Sequence, residues 1–169
     1  MIDIGRKLKN FGPLEFLVLS SLFYVVVMLI WTASTRASVL QKANDIESNH
    51  KMIVEFINDE INKCSSNEDN FTSWGENCNS LWNSEKIVKY ILDNFKLNNP
   101  YSIEKPLIQT SQDPRIQAEG KAGQSTDKGI IFVSAINFES EAGSEWVIGT
   151  CIKSPCVAAG NNELVSVYR

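Results

Sequence analysis

The chain has 169 residues, of which 43% are hydrophobic and 21% are charged, and its 16 basic and 20 acidic side chains give a formal net charge of −4. This length suits one domain, or one domain and an appendage, and excludes a multidomain enzyme. The acidic balance argues against a protein that binds duplex DNA, because such proteins normally present a basic surface. The mean hydropathy of −0.14 is that of a soluble protein, but the apolar residues are concentrated near the N-terminus.

A hydrophobic segment covers residues 14–31 and contains a single charged side chain, Glu15. As a helix it would rise about 27 Å, which is close to the hydrocarbon thickness of a bilayer. It is preceded by three basic residues, Arg6, Lys7 and Lys9. By the positive-inside rule these retain residues 1–10 in the cytoplasm, and the chain after a retained membrane helix is then exported. A cleaved signal peptide is the alternative, because residues 32–38 include the small residues of a cleavage site.

Helical signals continue beyond this segment, since neither proline nor glycine occurs between Pro13 and Gly75. A stripe of mainly apolar side chains recurs every three or four residues, as on one face of a helix: Val39, Ala43, Ile46, His50, Ile53, Ile57 and Ile61. The sequence thus predicts one helix over about residues 14–63, apolar all round at first and amphipathic later. We expect the stripe to pack on the protein's own sheet, with His50 as a partly buried, hydrogen-bonded side chain rather than a ligand or a base.

The residues after this helix predict a small α+β domain. A polar loop over residues 64–83 leads into a second helix over about residues 84–96. Residues 102–128 are rich in turn residues and include at most one weak strand, at 103–109. Three clearer strands follow, separated by short turns as in an antiparallel meander: residues 129–138, 145–152 and 163–168. The predicted fold is a long N-terminal helix packed on a small antiparallel sheet, in three parts: a basic leader (1–10), a membrane half of the helix (11–35) and an exported domain (36–169).

Four cysteines lie in the part of the chain that we expect to be exported, where an even number favours disulfides. Of three possible connectivities we favour Cys64–Cys78, which closes the loop after the long helix, and Cys151–Cys156, which closes a small loop between the last strands. Zinc is not favoured, because neither pair has C-x2-C spacing and the one histidine lies on the helix. Buried free thiols are the remaining alternative.

The basic leader, the hydrophobic helix with a carboxylate near its start, the amphipathic continuation, the small sheet and the C-terminal cysteine pair together resemble type IV pilins and pseudopilins. In that family a leader peptidase cleaves before a residue, often phenylalanine, that becomes the mature N-terminus, and a glutamate lies at the fifth mature position. Phe11 and Glu15 have that spacing. The resemblance therefore implies cleavage between Asn10 and Phe11. Asn10 departs from the family pattern, which has glycine before the cleavage site.

Glu15 has two interpretations. A carboxylate in an apolar segment is costly and is therefore a functional candidate. The resemblance implies that it neutralises the free amine of Phe11 in a neighbouring subunit and so sets the stagger between packed helices. Alternatively it stabilises its own helix, because Pro13 suits the first turn and a carboxylate two residues later satisfies free N–H groups and the macrodipole by about 0.3–1 kcal/mol.

The resemblance implies a structural subunit of a type IV pilus-like filament that polymerises through its hydrophobic helix. The implied partners are further copies of the chain in a helical filament, the inner membrane before assembly, the leader peptidase and the pilus assembly machinery. A pseudopilin of a secretion system is a close relative of this interpretation. The alternative is a single-pass membrane-anchored binding module that does not polymerise. No phosphate-binding loop, paired-carboxylate signature or second histidine occurs in the sequence, which predicts neither an enzyme nor a cofactor or metal site.

Overall fold

The computed structural model describes residues 12–66, 70–119, 128–137 and 144–169. The chain divides into two compact units, Met1–Gln41 and Lys42–Arg169. One α-helix of 53 residues, α1 (Pro13–Ser65), contributes to both, which confirms the prediction of an unbroken helix. The leader, Phe11 and residues 138–143, which include the short turn predicted between the strands at 129–138 and 145–152, lie outside the described residues.

A second helix, α2 (Ser84–Asn94), has Asn83 as its N-cap. The side-chain oxygen of Asn83 accepts a hydrogen bond from the Glu85 N–H at 2.8 Å, which satisfies one of the free donors of the first turn. The helix ends at Asn94 rather than at residue 96, because Phe95 has an extended backbone with φ −100° and ψ 115°.

A third helix, α3 (Pro114–Glu119), lies in the stretch for which the sequence predicts turns. Oδ1 of Asp113 accepts a hydrogen bond from the Arg115 N–H at 2.9 Å, and Pro114 occupies the first helical position. An acidic cap followed by proline is a signal for a helix start. The helix was missed because its 6 residues are too few to show apolar periodicity.

The described part of the second unit contains a four-stranded sheet in the order β1-β2-β3-β4. Its strands are β1 (Ile108–Thr110), β2 (Ile131–Asn137), β3 (Ser144–Cys151) and β4 (Asn162–Tyr168). The last three strands pair antiparallel in chain order, with Ile131 opposite Thr150 and Trp146 opposite Val167. The predicted meander is therefore confirmed.

The prediction of a wholly antiparallel sheet is wrong at one edge. β1 runs parallel to β2, with Ile108 opposite Ile131, so the sheet is mixed. A parallel pair needs a crossover connection of about a dozen residues or more, and residues 111–130 supply one that includes α3. Sequence patterns locate strands but do not reveal this choice of partner, because both pairings need the same apolar residues.

The core of the second unit lies between one face of the sheet and the helices α1 and α2. Successive strand residues point to opposite faces, and the core face presents Ile131, Val133, Trp146, Ile148 and Val167. The helices contribute Ala43, Ile46, Ile53, Ile57, Ile61, Ile87, Val88 and Ile91. The stripe predicted on the long helix is therefore buried from Ala43 to Ile61, whereas Val39, in the first unit, is 48% exposed.

Helix α3 approaches the sheet closely at Gly149. A Cβ atom built on Gly149 would lie 2.7 Å from the Pro114 carbonyl oxygen and 2.9 Å from the Ala118 Cβ. Arg115 joins the same helix to the sheet, because its Nη2 lies 2.7 Å from Oε1 of Glu145. The absence of a side chain at Gly149 thus permits this helix–strand contact.

Replacing Gly149 with valine is expected to lower the free energy of unfolding by about 1–3 kcal/mol, because the added methyl groups must displace the backbone of α3. The Gly149→Ala variant should lose less, since it adds one carbon. Chemical denaturation followed by tryptophan fluorescence measures both losses. Wild-type stability in Gly149→Val would contradict the close packing.

Two disulfides staple the second unit, Cys64–Cys78 and Cys151–Cys156. The first joins the last turn of α1 to the loop before α2, and the second joins the end of β3 to the loop before β4. This is the connectivity that we favoured among the three, and it leaves no free cysteine for the zinc or thiol alternatives.

Candidate functional site

The first part of α1 is a continuous exposed apolar surface. The large apolar side chains from Leu14 to Trp31 are each between 41% and 75% exposed. The buried residues of α1 begin only at Ala43. Among the described residues, α1 is the one helix that is long and apolar enough to cross a bilayer. Length and composition are compatible with a membrane anchor, and equally with a signal sequence near the N-terminus.

Hydroxyl groups within this segment and directly after it donate hydrogen bonds to their own helix. The Ser20 and Ser21 hydroxyls donate to carbonyl oxygens three residues earlier, at 3.0 and 2.8 Å. Thr32 does the same towards the carbonyls of residues 28 and 29, both at 3.0 Å. Polar groups in hydrocarbon need partners inside the protein, because no water is available there. These serines and this threonine therefore suit a helix surrounded by lipid or by apolar neighbours.

Glu15 makes a local contact at the start of α1. Its Oε2 accepts a hydrogen bond from the Gly12 N–H at 3.0 Å, and the Gly12 carbonyl accepts one from the Phe16 N–H at 3.1 Å. A carboxylate three residues into a helix that reaches back to the N-cap N–H forms one half of a capping box. Asn10 and Phe11, the residues of the expected cleavage site, lie outside the described residues.

Comparison with models of known protein families, with curated proteins and with solved structures gives no match. The resemblance to type IV pilins thus depends on the sequence features alone.

A second polar centre ties α1 to the loop closed by Cys64–Cys78. Glu60 is 2% exposed, and its Oε2 accepts a hydrogen bond from the Ser73 N–H at 2.7 Å. Its Oε1 accepts from the Ser73 hydroxyl at 2.7 Å and from the Lys63 ammonium at 2.6 Å. Burial alone would raise the pKa of Glu60, but the hydrogen bonds from Lys63 and Ser73 outweigh it and lower the pKa below its ordinary value.

Glu76 organises the remainder of this loop in the same way. Its Oε2 accepts hydrogen bonds from Trp74 Nε1 and from the Asn83 N–H, both at 2.9 Å, and its Oε1 lies 3.0 Å from Lys86 Nζ. Burial opposes ionisation here too, yet the donors at Asn83, Lys86 and Trp74 lower the pKa of Glu76 below its ordinary value. The ionised carboxylates of Glu60 and Glu76 therefore accept the hydrogen bonds that fix this loop in place.

Acid is expected to destabilise the second unit through these two groups. Because the folded-state pKa of each is lower than its ordinary value of 4.5, their stabilisation is present above that pH and is lost as the pH falls through the folded-state pKa values. Thermal melting between pH 7 and pH 3 measures this loss. Glu60→Gln should flatten the dependence, whereas Glu55→Gln, at an exposed site of the same helix, should leave it unchanged. If the melting temperature of Glu60→Gln depends on pH as steeply as that of the wild type, Glu60 does not contribute to the acid sensitivity.

His50 joins α1 to the sheet from inside the core. It is 1% exposed, its Nε2 lies 3.2 Å from the Ile148 carbonyl oxygen, and its Nδ1 lies 2.8 Å from Oε2 of Glu163. A carbonyl and a carboxylate both accept hydrogen bonds, so each ring nitrogen of His50 faces an acceptor. The expectation of a buried, hydrogen-bonded histidine with a structural role therefore agrees with its position, which is more deeply buried than predicted.

Glu60 and Glu76 are not among the functional residues that the sequence predicts. For Glu60 a signal existed, because it lies three residues after Ile57 and directly before Ile61, on the buried face of the helix. Glu76 had none, since its position in a polar loop resembles that of any solvated carboxylate. Among the described residues, no group of three or more histidine, cysteine, aspartate or glutamate side chains is placed to hold a metal ion.

Proposed function

We propose that this protein is a structural subunit of a type IV pilus-like filament and polymerises through the apolar part of α1. One observation carries the proposal: a single helix is exposed and apolar over residues 14–31 but is buried against its own sheet from Ala43 to Ile61. The first part can therefore exchange lipid neighbours for other copies, while the second part keeps a folded domain attached.

Burial of apolar surface drives the assembly. In water the side chains of residues 14–31 can be covered only by other apolar surfaces, and each square ångström covered contributes about 25 cal/mol. In this proposal the inner membrane stores the subunit, the assembly machinery extracts it, and the helices pack as the filament interior at the cell surface. The sheet and the disulfide loops then form the exterior.

Glu15 sets the register between neighbours in this proposal. It uses Oε2 for the Gly12 N–H, and Oε1 accepts no hydrogen bond from the described residues of its own chain. Leader cleavage before Phe11 creates a free amine, and Oε1 is the atom that receives it from the adjacent copy. Such a pair in an apolar interior strongly disfavours any stagger that leaves either charge alone.

Electron microscopy of sheared surface filaments, combined with N-terminal sequencing of their subunit, tests the proposal. Filaments whose subunit begins at Phe11 support it. A membrane-bound protein that retains the leader and forms no filament would falsify it. A soluble protein beginning within residues 33–38 would show instead that the segment is a signal peptide.

A membrane-anchored binding module is the second candidate. Two observations favour it: Glu15 already has a partner in its own first turn, and Asn10 replaces the glycine of the pilin leader. In this case the capping box only stabilises the end of the membrane helix. A pseudopilin of a secretion system would share the processing of a pilin, and loss of protein secretion on deletion would distinguish it.

A further inference from the structure

Strand β4 lies at an open edge of the sheet. It has 7 residues and pairs with β3 without a bulge, from Asn162 opposite Cys151 to Tyr168 opposite Glu145. Edge strands are normally protected by shortness, by bulges, or by lysine and proline, because their free N–H and C=O groups bind other strands. The opposite edge strand of the described sheet, β1, has only 3 residues, whereas β4 is long and contains neither lysine nor proline. Of the two edges, β4 is therefore the one that can accept a further strand.

Alternate residues of β4 direct their backbone groups away from β3. At the start of the ladder the Ile152 N–H donates a hydrogen bond to the Asn161 carbonyl at 2.7 Å. Hydrogen-bonded pairs recur at every second residue of an antiparallel ladder, so the odd-numbered residues of β4 bond to β3. Beyond residue 162, the residues whose N–H and C=O groups point outwards are Leu164, Ser166 and Tyr168. Among the described residues these groups have no backbone partner.

Helix α1 does not seal this edge. A groove with a volume of about 440 Å³ lies between it and β4, and the lining includes Lys51 and Val54 of α1 and Leu164 and Val165 of β4. On the face of the sheet turned away from α1, Leu164 and Tyr168 are 41% and 67% exposed. An extended strand placed beside β4 would therefore meet free backbone groups and uncovered apolar side chains.

The residue order of β4 fits a second copy of itself in the antiparallel direction. Residues with outward-pointing backbone groups must face one another across such a pair. With Ser166 opposite Ser166 of the second copy, Leu164 lies opposite Tyr168 and Val165 lies opposite Val167. The exposed apolar side chains of the two strands then cover each other, and such cross-strand pairs stabilise a sheet.

Charge complementarity selects this register. It places Glu163 opposite Arg169, once on each side of the centre. Within the described part of the chain, Arg169 has no carboxylate at ion-pair distance. Glu163 uses Oε2 for His50, which leaves Oε1 for a second partner. A pair centred on Val165 would instead place Glu163 opposite Val167 and lose this ion pair.

We propose that β4 pairs with β4 of a second copy of this chain, antiparallel and centred on Ser166, so that the two sheets become one across a twofold axis. The outward-pointing groups of the two strands form about six hydrogen bonds. One strand pair buries less area than a stable soluble dimer needs, so the pair forms where chains are concentrated, as when they share a membrane.

The twofold pair is a contact of chains outside a filament. It closes on itself and does not propagate, unlike the head-to-tail contacts that build filaments. It therefore goes beyond the proposed function, and it holds for a subunit before assembly and for an anchored module alike.

Cysteine cross-linking of the purified full chain, concentrated in detergent, tests the pair. The native cysteines are all in disulfides, so an introduced cysteine is the one free thiol. Opposite residues of a hydrogen-bonded antiparallel pair have Cα atoms about 5.5 Å apart, which is within the disulfide range. On oxidation with copper phenanthroline, Ser166→Cys should form a covalent dimer about tenfold faster than Thr110→Cys, because the pair raises the effective concentration of the thiols. Thr110 is the matched control, since it is exposed on the other edge strand.

Two further variants test the register. Leu164→Cys alone should cross-link as slowly as Thr110→Cys, because four residues along the strand place it about 14 Å from its copy. A mixture of Leu164→Cys and Tyr168→Cys should cross-link quickly, since these residues lie opposite each other.

A lysine at the centre of the pair tests it without a cross-link. Ser166→Lys places two like charges opposite each other and should raise the dissociation constant of the dimer about tenfold, as measured by sedimentation of the full chain in detergent. Thr110→Lys should leave the constant unchanged. Both variants should melt like the wild type when followed by tryptophan fluorescence, because neither position lies in the core.

Four results would overturn the proposed pair. These are equal cross-linking rates of Ser166→Cys and Thr110→Cys, fast cross-linking of Leu164→Cys alone, a wild-type dissociation constant in Ser166→Lys, and a monomeric wild type at every concentration. In intact cells, an adduct of Ser166→Cys with another protein in place of the dimer would also overturn it and would identify a foreign strand as the occupant. Absence of filaments bears on the proposed function and leaves the pair unaffected.

Discussion

Replacing Glu15 with glutamine is expected to abolish filament formation while leaving the chain folded and membrane-bound. Glutamine can still accept the hydrogen bond from the Gly12 N–H, because the capping box accommodates either residue. It cannot neutralise the amine of a neighbouring Phe11, and an uncompensated charge inside an apolar bundle costs about 3–5 kcal/mol per subunit. Repeated along a filament, that cost prevents assembly.

Negative-stain microscopy of sheared cells measures the loss, and membrane fractionation shows that the variant is still made and inserted. Glu55→Gln is the matched control, since Glu55 is exposed on the same helix beyond the apolar segment. It should leave filament numbers unchanged. Normal filaments in Glu15→Gln would show that assembly does not need the charge of Glu15. Its role would then be the local capping of α1.

The largest loss of stability is expected from shortening Ile53 to alanine, by about 2–5 kcal/mol. Ile53 is fully buried between α1 and the sheet, so the change removes apolar contacts and leaves a cavity. Chemical denaturation of the detergent-solubilised chain, followed by tryptophan fluorescence, reports on the second unit because Trp82 and Trp146 lie in its core.

Met52 provides the control for Ile53. It is adjacent in the chain but 40% exposed, and Met52→Ala should change stability by no more than about 0.5 kcal/mol. Insertion of residues 14–31 into membranes should be the same in both variants. Equal losses of stability in the two variants would show that the face of α1 that carries Ile53 is not buried against the sheet.

The long helix could be anticipated in detail because its signals are local. The absence of proline and glycine, the apolar run and the spacing from Ala43 to Ile61 all lie within one continuous stretch. The same holds for the three antiparallel strands, which are separated by short turns, and for the two disulfides, each of which closes a short loop. For Glu15, the sequence suggested both a local cap and an assembly role. The hydrogen bond from the Gly12 N–H corresponds to the local cap.

The polar centres of the second unit depended on residues far apart in the chain. His50 meets Ile148 and Glu163 only because the stripe packs across β3 and β4, and no spacing in the sequence relates these positions. The position of Glu60 on the buried face of the helix gave a signal, but its partner Ser73 lies 13 residues away in the disulfide loop. Glu76 resembled a solvated carboxylate, and only the folded loop brings Trp74 Nε1 and the Asn83 N–H onto it. A buried carboxylate is stable only with such donors, so its role cannot be inferred before its partners are known.

Local chain chemistry therefore determined the presence and order of the long helix, α2, the three long strands and the apolar segment, because periodicity and turn residues act over a few positions. The folded arrangement alone decided that β1 pairs with β2 in parallel, that α3 covers Gly149, and that Glu163 lies beside His50. Each of these depends on backbone segments separated by many residues. Their free energies come from close approach in space, which neighbours in the sequence do not encode.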